Sequence, residues 1–590
     1  MQRTNPSNTW DTSIPISRRR RLLNRIKRFS STPSLNKYTS LDEKPQSAVS
    51  CISLAGSSSS ANTSACTTPR NLSRSSSTLE LFVDCPTVQE TKWISLPSEL
   101  KIRILSYLSP RQLIGVSSVS KEFHKLCYDG QLWSRLDASE FYDRISAKTL
   151  AHLIVTAAPF IKYINLRGCV QLPEQWTIDA VANACRNLQT AVLEDCNFQK
   201  KTVHFLLNRN PGLVSINLQG LRKISNSTCK LLGMNCPLLE ELNVAFCDGL
   251  DGKGLKRIVE GCPRLRDLRA NDININDPQL MVALFKANQM DRLILRGCSG
   301  MTDEYIRLFC EGENPELDPF TGRALFHREN SDTWTSNHAL RYLAGRVPQL
   351  RHLDLSGVIH LTDDGLISLL PTVPKLTHLD LEDCSEIGNE TLLSLASSPV
   401  AAGFQSLGVS NCENIDDAGM IAVLHKCPVL RNVEMDNTRV SDRTICAALS
   451  AVSNRVRNFV MNSEEEGSRK ILPPHPARLI ALSLVTYDCS SITWQACSLL
   501  MAHNASHVQR YPTSEGIPGL VLLKCFYEYQ RTVDEHTSLV LRGYLGEANG
   551  IRERWEKYMK SCEEAVGRRS RRGWGRHPHY GRTGSGCSIM

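Results

Sequence analysis

At 590 residues, with 41% apolar and 22% charged residues, the chain has room for several domains or one long array, and enough apolar content that only parts of it can lack a core. Its formal charge of +9 sits at the ends: residues 1–80 hold 12 Lys/Arg against 4 Asp/Glu, residues 566–590 hold six Arg and no acid, and the stretch between is net acidic. This argues against a folded nucleic-acid binder, which would carry the positive charge on its body, and no run of 18 apolar residues offers a membrane span.

Residues 1–91 are rich in Ser, Thr and Asn, with serine runs at 57–60 and 75–77, and are predicted to be disordered because they cannot bury enough surface to offset chain entropy. Within them, Arg18–Phe29 places Leu22, Leu23, Ile26 and Phe29 at helical spacing among basic residues, a pattern suited to an anionic membrane or to a solvated basic patch. Arg28–Pro33 resembles a basophilic kinase site followed by a 14-3-3 docking core. The 22 cysteines of a chain read as intracellular are expected to be reduced thiols.

Residues 92–140 predict a compact helical set. Pro97 suits a first helical turn and Glu99 complements the helix N-terminus, while Leu100, Ile104, Leu105 and Leu108 share one face. Ser109-Pro110 starts a second helix carrying Leu113, Ile114 and Val116. A third holds Phe123, Leu126 and Cys127 and stops near Asp129-Gly130, with Leu132-Trp133 beyond. This segment resembles the F-box: Leu96-Pro97, Glu99, Leu100, Ile104, Leu105, Leu108, Leu113, Val116, Val119, Phe123 and Leu132-Trp133 match, and Ser120 stands where the family usually has cysteine. The resemblance implies docking, through Leu96, Pro97, Glu99, Leu100, Ile104, Leu108, Leu113, Val116, Val119 and Trp133, onto a Skp1-type adaptor and through it a cullin–RING ubiquitin ligase.

From about 160, within residues 141–498, the chain is periodic in L-x-x-L-x-L-x-x-C. The last position falls at Cys169, Cys196, Leu221, Cys247, Ile273 and Cys298, and again at Val358, Cys384, Cys412, Thr438 and Cys489. Unbroken steps are 25 to 28 residues, the leucine-rich repeat range, and predict a strand and then a helix per unit. The fold class is therefore α/β, a leucine-rich repeat solenoid with a parallel sheet and outer helices behind a three-helix module. The repeat resembles the cysteine-containing class found in F-box proteins. A second set, Cys185, Cys236, Cys262 and Cys427, is expected to close the preceding helices. One cysteine per repeat makes a ladder and not the converging pairs that zinc needs, so the thiols read as structural.

The positions alternating with the leucines are predicted to line the concave face: Asn165, Arg167, Glu194, Asn217, Gln219, Asn243, Arg269, Arg296, His352, Asp354, His378, Asp380 and Glu382. They mark a substrate surface and not a catalytic site. Residues 311–334, polar and Pro-containing, predict an insertion; Glu464-Glu465-Glu466 predicts an acidic loop. Residues 499–565 predict a helical C-terminal region, with Ile551, Trp555 and Tyr558 on one face, and 566–590 a flexible basic tail.

Cys587-Ser588-Ile589-Met590 fits a C-a-a-X signal for farnesylation of Cys587, with Arg568, Arg569, Arg571, Arg572 and Arg576 as the polybasic second signal. No G-x-x-x-x-G-K-[ST], H-E-x-x-H or G-x-S-x-G motif in a strand–helix context is present. The expectation is thus a non-catalytic receptor of an SCF-type ubiquitin ligase, with no cofactor, metal or nucleic-acid partner, cytoplasmic and partly membrane-associated. The alternatives are a membrane-tethered repeat scaffold without a cullin, and a small-molecule site on the concave face.

Overall fold

The computed structural model describes residues 93–572 apart from 140–145, 171, 173–183, 313–315, 318–323, 326–346, 466–478 and 514–515. The serine- and arginine-rich stretch 1–91, most of the 311–334 insertion, Glu466, Arg576 and Cys587 lie outside the described residues. The chain divides into two compact units at Leu96/Pro97, and of the first only Trp93–Leu96 is described, with Trp93–Ser95 in one 3-10 turn.

The second unit opens with the three short helices, α1 (Ser98–Leu105), α2 (Pro110–Val116) and α3 (Lys121–Cys127). Side-chain caps fix their starts. The Ser109 hydroxyl accepts from the Gln112 amide at 3.4 Å while the Gln112 side chain accepts from the Ser109 amide at 2.8 Å, a reciprocal capping box. Ser120 caps α3 by accepting from the Phe123 amide at 3.2 Å, which gives the serine at this position a structural job. Trp133 closes the module from below: it is buried, and its indole Nε1 donates to the Cys127 carbonyl at 2.8 Å.

The strands follow as β1 (Arg135–Asp137), β2 (Tyr163–Asn165), β3 (Thr190–Val192), β4 (Ser215–Asn217), β5 (Glu241–Asn243), β6 (Asp267–Arg269) and β7 (Arg292–Ile294). A two-residue antiparallel pair, β8 (Glu316–Leu317) with β9 (Ala324–Leu325), marks the insertion. Then come β10 (His352–Asp354), β11 (His378–Asp380), β12 (Ser406–Gly408), β13 (Asn432–Glu434), β14 (Ile480–Val485) and β15 (Leu520–Lys524). All but β8 and β9 form one parallel sheet in chain order, and β10 pairs directly with β7, so the insertion leaves the ladder unbroken.

The connecting helices are α4 (Ala147–Ala157), α5 (Lys200–Arg209), α6 (Asn226–Asn235), α7 (Gly252–Gly261), α8 (Gln279–Ala287) and α9 (Asp303–Glu311). After the insertion they continue as α10 (Asp363–Leu369), α11 (Asn389–Ser397), α12 (Asp417–Lys426), α13 (Asp442–Glu465), α14 (Trp494–Arg510), α15 (Tyr527–Leu541) and α16 (Leu545–Arg572). In each three-residue strand the central side chain is buried (Ile216, Leu242, Leu268, Leu379) and its neighbours face out. Period-2 alternation thus turns one residue per strand to the helices and leaves two on an open face.

The ladder position does more than fill space. Buried thiols donate to a backbone carbonyl of the preceding unit: Cys196 to Leu166 at 2.9 Å, Cys298 to Ala270 at 3.0 Å, Cys412 to Leu381 at 3.2 Å and Cys489 to Met435 at 3.1 Å. A small side chain with a weak donor adds a bond to a carbonyl that in several units already accepts another, as Leu166 does from the Cys169 amide and Leu381 from the Cys384 amide. Cys236, Cys262 and Cys427 stand at helix C-caps, as their Cys-Pro context suggests.

The residue just before each ladder position is left-handed. Gly168, Gly220, Gly297 and Gly357 share this conformation with Asp195, Asp272, Asp383, Asn411, Asn437 and Asp488, the residue types that tolerate it. Phe246 is the exception, at φ +59° with its ring 42% exposed. Replacing it with Asn, the residue two other units use, is expected to stabilise the chain by about 1 kcal/mol, since a left-handed backbone costs a branched or bulky residue about that much. Chemical denaturation of Phe246→Asn beside wild type measures it.

Four expectations need correcting. The sheet begins earlier and runs later than the leucine pattern, because β1 falls inside the span assigned to the helical module and β15 inside the region expected to be helical. Glu464 and Glu465 end helix α13 and do not lie in a loop. Residues 566–572 continue α16 and do not belong to a flexible tail. Ile551, Trp555 and Tyr558 do follow one helix face, running from buried to half-buried to exposed. There Trp494 of α14 packs on Trp555 and on Tyr529 of α15, with ring centroids 5.2 and 5.5 Å apart, fastening the last three helices together.

Candidate docking and recognition surfaces

Two surfaces collect the residues singled out above. On α1, Leu100 and Ile104 are 51% and 47% exposed although the same helix buries Leu105. Pro97, Glu99 and Val119 are exposed too, Leu96, Leu108 and Val116 are half-buried, and Tyr107 adds an exposed ring the sequence reading passed over. Leu113 and Trp133, expected among the contact residues, are buried inside the module. They hold it together, because a side chain that fills a small core has no surface left to offer a partner. The buried Lys101 ammonium meets Glu122 at 2.7 Å, tying α1 to α3.

The open face of the sheet carries the other set, in two networks. In the first, Glu194 accepts from Arg167 at 3.2 Å, Asn217 at 3.2 Å and Gln219 at 3.3 Å, and Asn243 donates to Gln219 at 2.9 Å. Asn165 stands at its edge, donating to Ser139 at 3.3 Å. Arg269 does not join; it forks onto Asp267 of its own strand at 2.8 and 3.0 Å.

The second network is acidic. The Arg296 guanidinium reaches from β7 across β10 to Glu382, and Ser356 donates to both Asp354 and Asp380, at 2.6 and 2.9 Å. Burial raises the carboxyls of Asp354 and Glu382 above their ordinary range, with Asp380 adding to the first and Arg296 opposing on the second. Beside them the rings of His352 and His378 stack 5.1 Å apart, both held neutral further into the acid range by burial and by Arg292. Past β12, whose outward positions are only Ser406 and Gly408, β13 presents Glu434, and Asp436 follows two residues beyond it. The alternation rule reaches both once Val433 and Met435 are accepted in place of leucines.

Burial pushes Asp436 up to about 6, against the Tyr487 amide that donates to it at 2.6 Å. With its folded-state pKa raised above the unfolded value of 3.8, the group favours folding fully below that value, and the benefit is lost as pH rises through about 6. Asp436→Asn keeps the acceptor for Tyr487 and removes the charge. It is expected to be more stable than wild type at pH 7.5, by up to about 3 kcal/mol for a shift of this size, with the gap narrowing toward pH 4.5 in thermal melts.

Comparison with known proteins fits this layout. Residues 93–139 match the F-box-like family, and residues 235–259 and 374–396 match the Leucine Rich repeat family. The chain joins an F-box-like segment to leucine-rich repeats. The F-box protein SKIP1 of Arabidopsis thaliana is 22% identical over 280 residues, covering 47% of this chain and 82% of that protein. Lysine-specific demethylase 2B of Mus musculus is 25% identical over 224 residues, 36% of this chain but only 15% of that much longer protein. Among solved structures, the yeast Rad7 and Elc1 complex aligns with TM-score 0.36 and 14% identity over 68% of this chain and 96% of that one. The TLR13–ssRNA13 complex aligns with TM-score 0.31 and 16% identity, over 63% and 44%. The F-box-like segment is thus α1 to α3 with the Trp133 turn and β1, and the repeats supply the open face.

Proposed function

We propose that the chain is a non-catalytic substrate-recognition subunit of an SCF-type ubiquitin ligase. The observation that carries this reading is the F-box-like segment with Leu100, Ile104 and Val119 left exposed, an apolar anchor for a Skp1-type adaptor beside a folded repeat array. In this reading the adaptor leads to a cullin–RING ligase, and the open face of the sheet holds a target protein. Holding both raises the effective concentration of target lysines near the ubiquitin donor, with no bond made or broken by this chain. The neutral-to-acidic half of the face, Asp354, Asp380, Glu382, Glu434 and Asp436, suits a target segment that brings positive charge.

Tethering to a membrane through farnesylated Cys587 and the arginines at the end of α16 belongs to the same reading, and would restrict targets to those at that surface. Among the described residues no helix is long and apolar enough to cross a membrane. The test is quantitative co-purification of adaptor and cullin with the full chain, wild type against Leu100→Glu/Ile104→Glu. Loss of both partners in a folded variant supports the ligase reading. Adaptor without cullin on the wild type indicates a scaffold, and neither partner on the wild type overturns the proposal.

A further inference from the structure

Helices α4 to α12 run 7 to 11 residues, enough to back one strand, but α13 runs 24 and α14 runs 17. Their near halves pack in the array, with Ile445, Ala448 and Val452 of α13 buried. Beyond Ser453 the two helices leave a groove of about 350 Å³. Val456, Val460 and Met461 supply its apolar wall, and Met461 is 58% exposed.

The opposite wall carries His503 and His507. Each donates from Nε2 to a backbone carbonyl, of Gly519 and Ile517, at 3.2 Å in both cases, and burial keeps both rings neutral at physiological pH. The fixed charge at the groove is therefore Arg457 from one helix and Arg510 from the other. Neither guanidinium has an ion-pair partner among the described residues. A groove with one apolar wall and one wall of neutral histidines, rimmed by two cations, has the complementarity of one kind of ligand.

We infer that this groove docks an acidic amphipathic helix of a partner protein. Its apolar residues at i, i+3 or i+4 and i+7 would fill the trough, and Glu or Asp on its flanks would meet Arg457 and Arg510. The stretch of α13 along the groove, 453–461, is about 13 Å long at helical rise, which matches two turns of a partner helix. Two arginines are too few to track a nucleic-acid backbone. A bilayer calls for a broad basic surface, whereas a single crossing helix engages only the arginine pair. This surface is separate from the F-box-like segment and from the open face, and the inference stands whether or not the ligase reading does.

The experiment uses the full chain and two labelled peptides of about 16 residues with the same leucine stripe, one flanked by Glu and one by Lys, read by fluorescence anisotropy. Wild type is expected to bind the Glu-flanked peptide at least about tenfold more tightly. Arg457→Glu/Arg510→Glu, at two exposed positions, is expected to reverse the preference, and Val460→Asp to weaken both peptides. Reversal in one variant shows that the variant is folded. Equal affinity for the two peptides, or an unchanged preference in the arginine variant, overturns the inference. Binding that appears only after Glu464, Glu465 and Glu466 are changed to Gln would assign the groove to the chain's own acidic segment. Recovery on phosphatidylserine vesicles without peptide binding would assign it to a membrane. Either result excludes a partner helix.

Discussion

With Leu100 and Ile104 both changed to glutamate, the chain is expected to lose its adaptor and cullin while melting at the wild-type temperature. Both side chains are about half exposed on α1, so the folded module does not need their burial. An adaptor that covers their exposed half gains roughly 1–1.5 kcal/mol for each. Two carboxylates in their place remove that gain and add the cost of burying unpaired charge. Together the loss is on the order of 5 kcal/mol, a factor above about a thousand in affinity. A substitution at Trp133 cannot make this distinction, because its ring and its bond to Cys127 hold the module together and partner loss would merely report unfolding. Partners retained by a folded double variant would remove the apolar face of α1 from the docking surface.

The second large effect concerns α6 and α7, which cross where Gly233 meets Gly261. A Cβ on Gly261 would lie 2.4 Å from both the Cα and the carbonyl oxygen of Gly233, and one on Gly233 would lie 2.5 Å from the Arg257 carbonyl oxygen. The obstacle is backbone, so no side-chain rotation relieves it. Gly261→Val must push the helices apart and open the core behind β5 and β6, at an expected cost of about 3 kcal/mol or more. Repeats are stabilised chiefly by their neighbours, so the damage should be local first. Hydrogen exchange read by mass spectrometry is expected to show protection lost over residues 226–262 before the flanking repeats. A variant that melts within about a degree of wild type would mean the two helices can separate freely.

Much of this architecture can be read in the chain because each repeat states the same demand. Leu242, Leu268 and Leu379 recur where a strand must turn one side chain inward, and the cysteines where a short donor is wanted. Except at Phe246, a Gly, Asp or Asn precedes each of them where the backbone turns left-handed, a signal present in the sequence. The ends were less legible for a physical reason. Strand β1 is Arg135-Leu136-Asp137, one inward leucine without the flanking leucines that make the pattern, and β15 is a continuous apolar run, Leu520-Val521-Leu522-Leu523, in which period 2 disappears. On the F-box-like segment the pattern shows which residues are apolar but not which become covered. Leu100, Ile104 and Leu105 look alike in sequence, and only the packing of α1 against α3 and the Trp133 turn separates the exposed pair from the buried one. The length of α13 and its groove with α14 had no sequence signal, since Val456 and Val460 continue the helical period that a core helix would also show.

The thiol ladder also makes the chain its own recorder. Burial pushes the thiols of Cys196, Cys298 and Cys384 up to about 12, so hardly any thiolate forms at neutral pH, and none of the three reaches solvent. Cys446 is exposed. In the native molecule an alkylating reagent meets a nearly silent array, and each rung becomes reactive only when its own unit comes apart. The residues that stitch one repeat to the last therefore also register, unit by unit, where the stack first gives way.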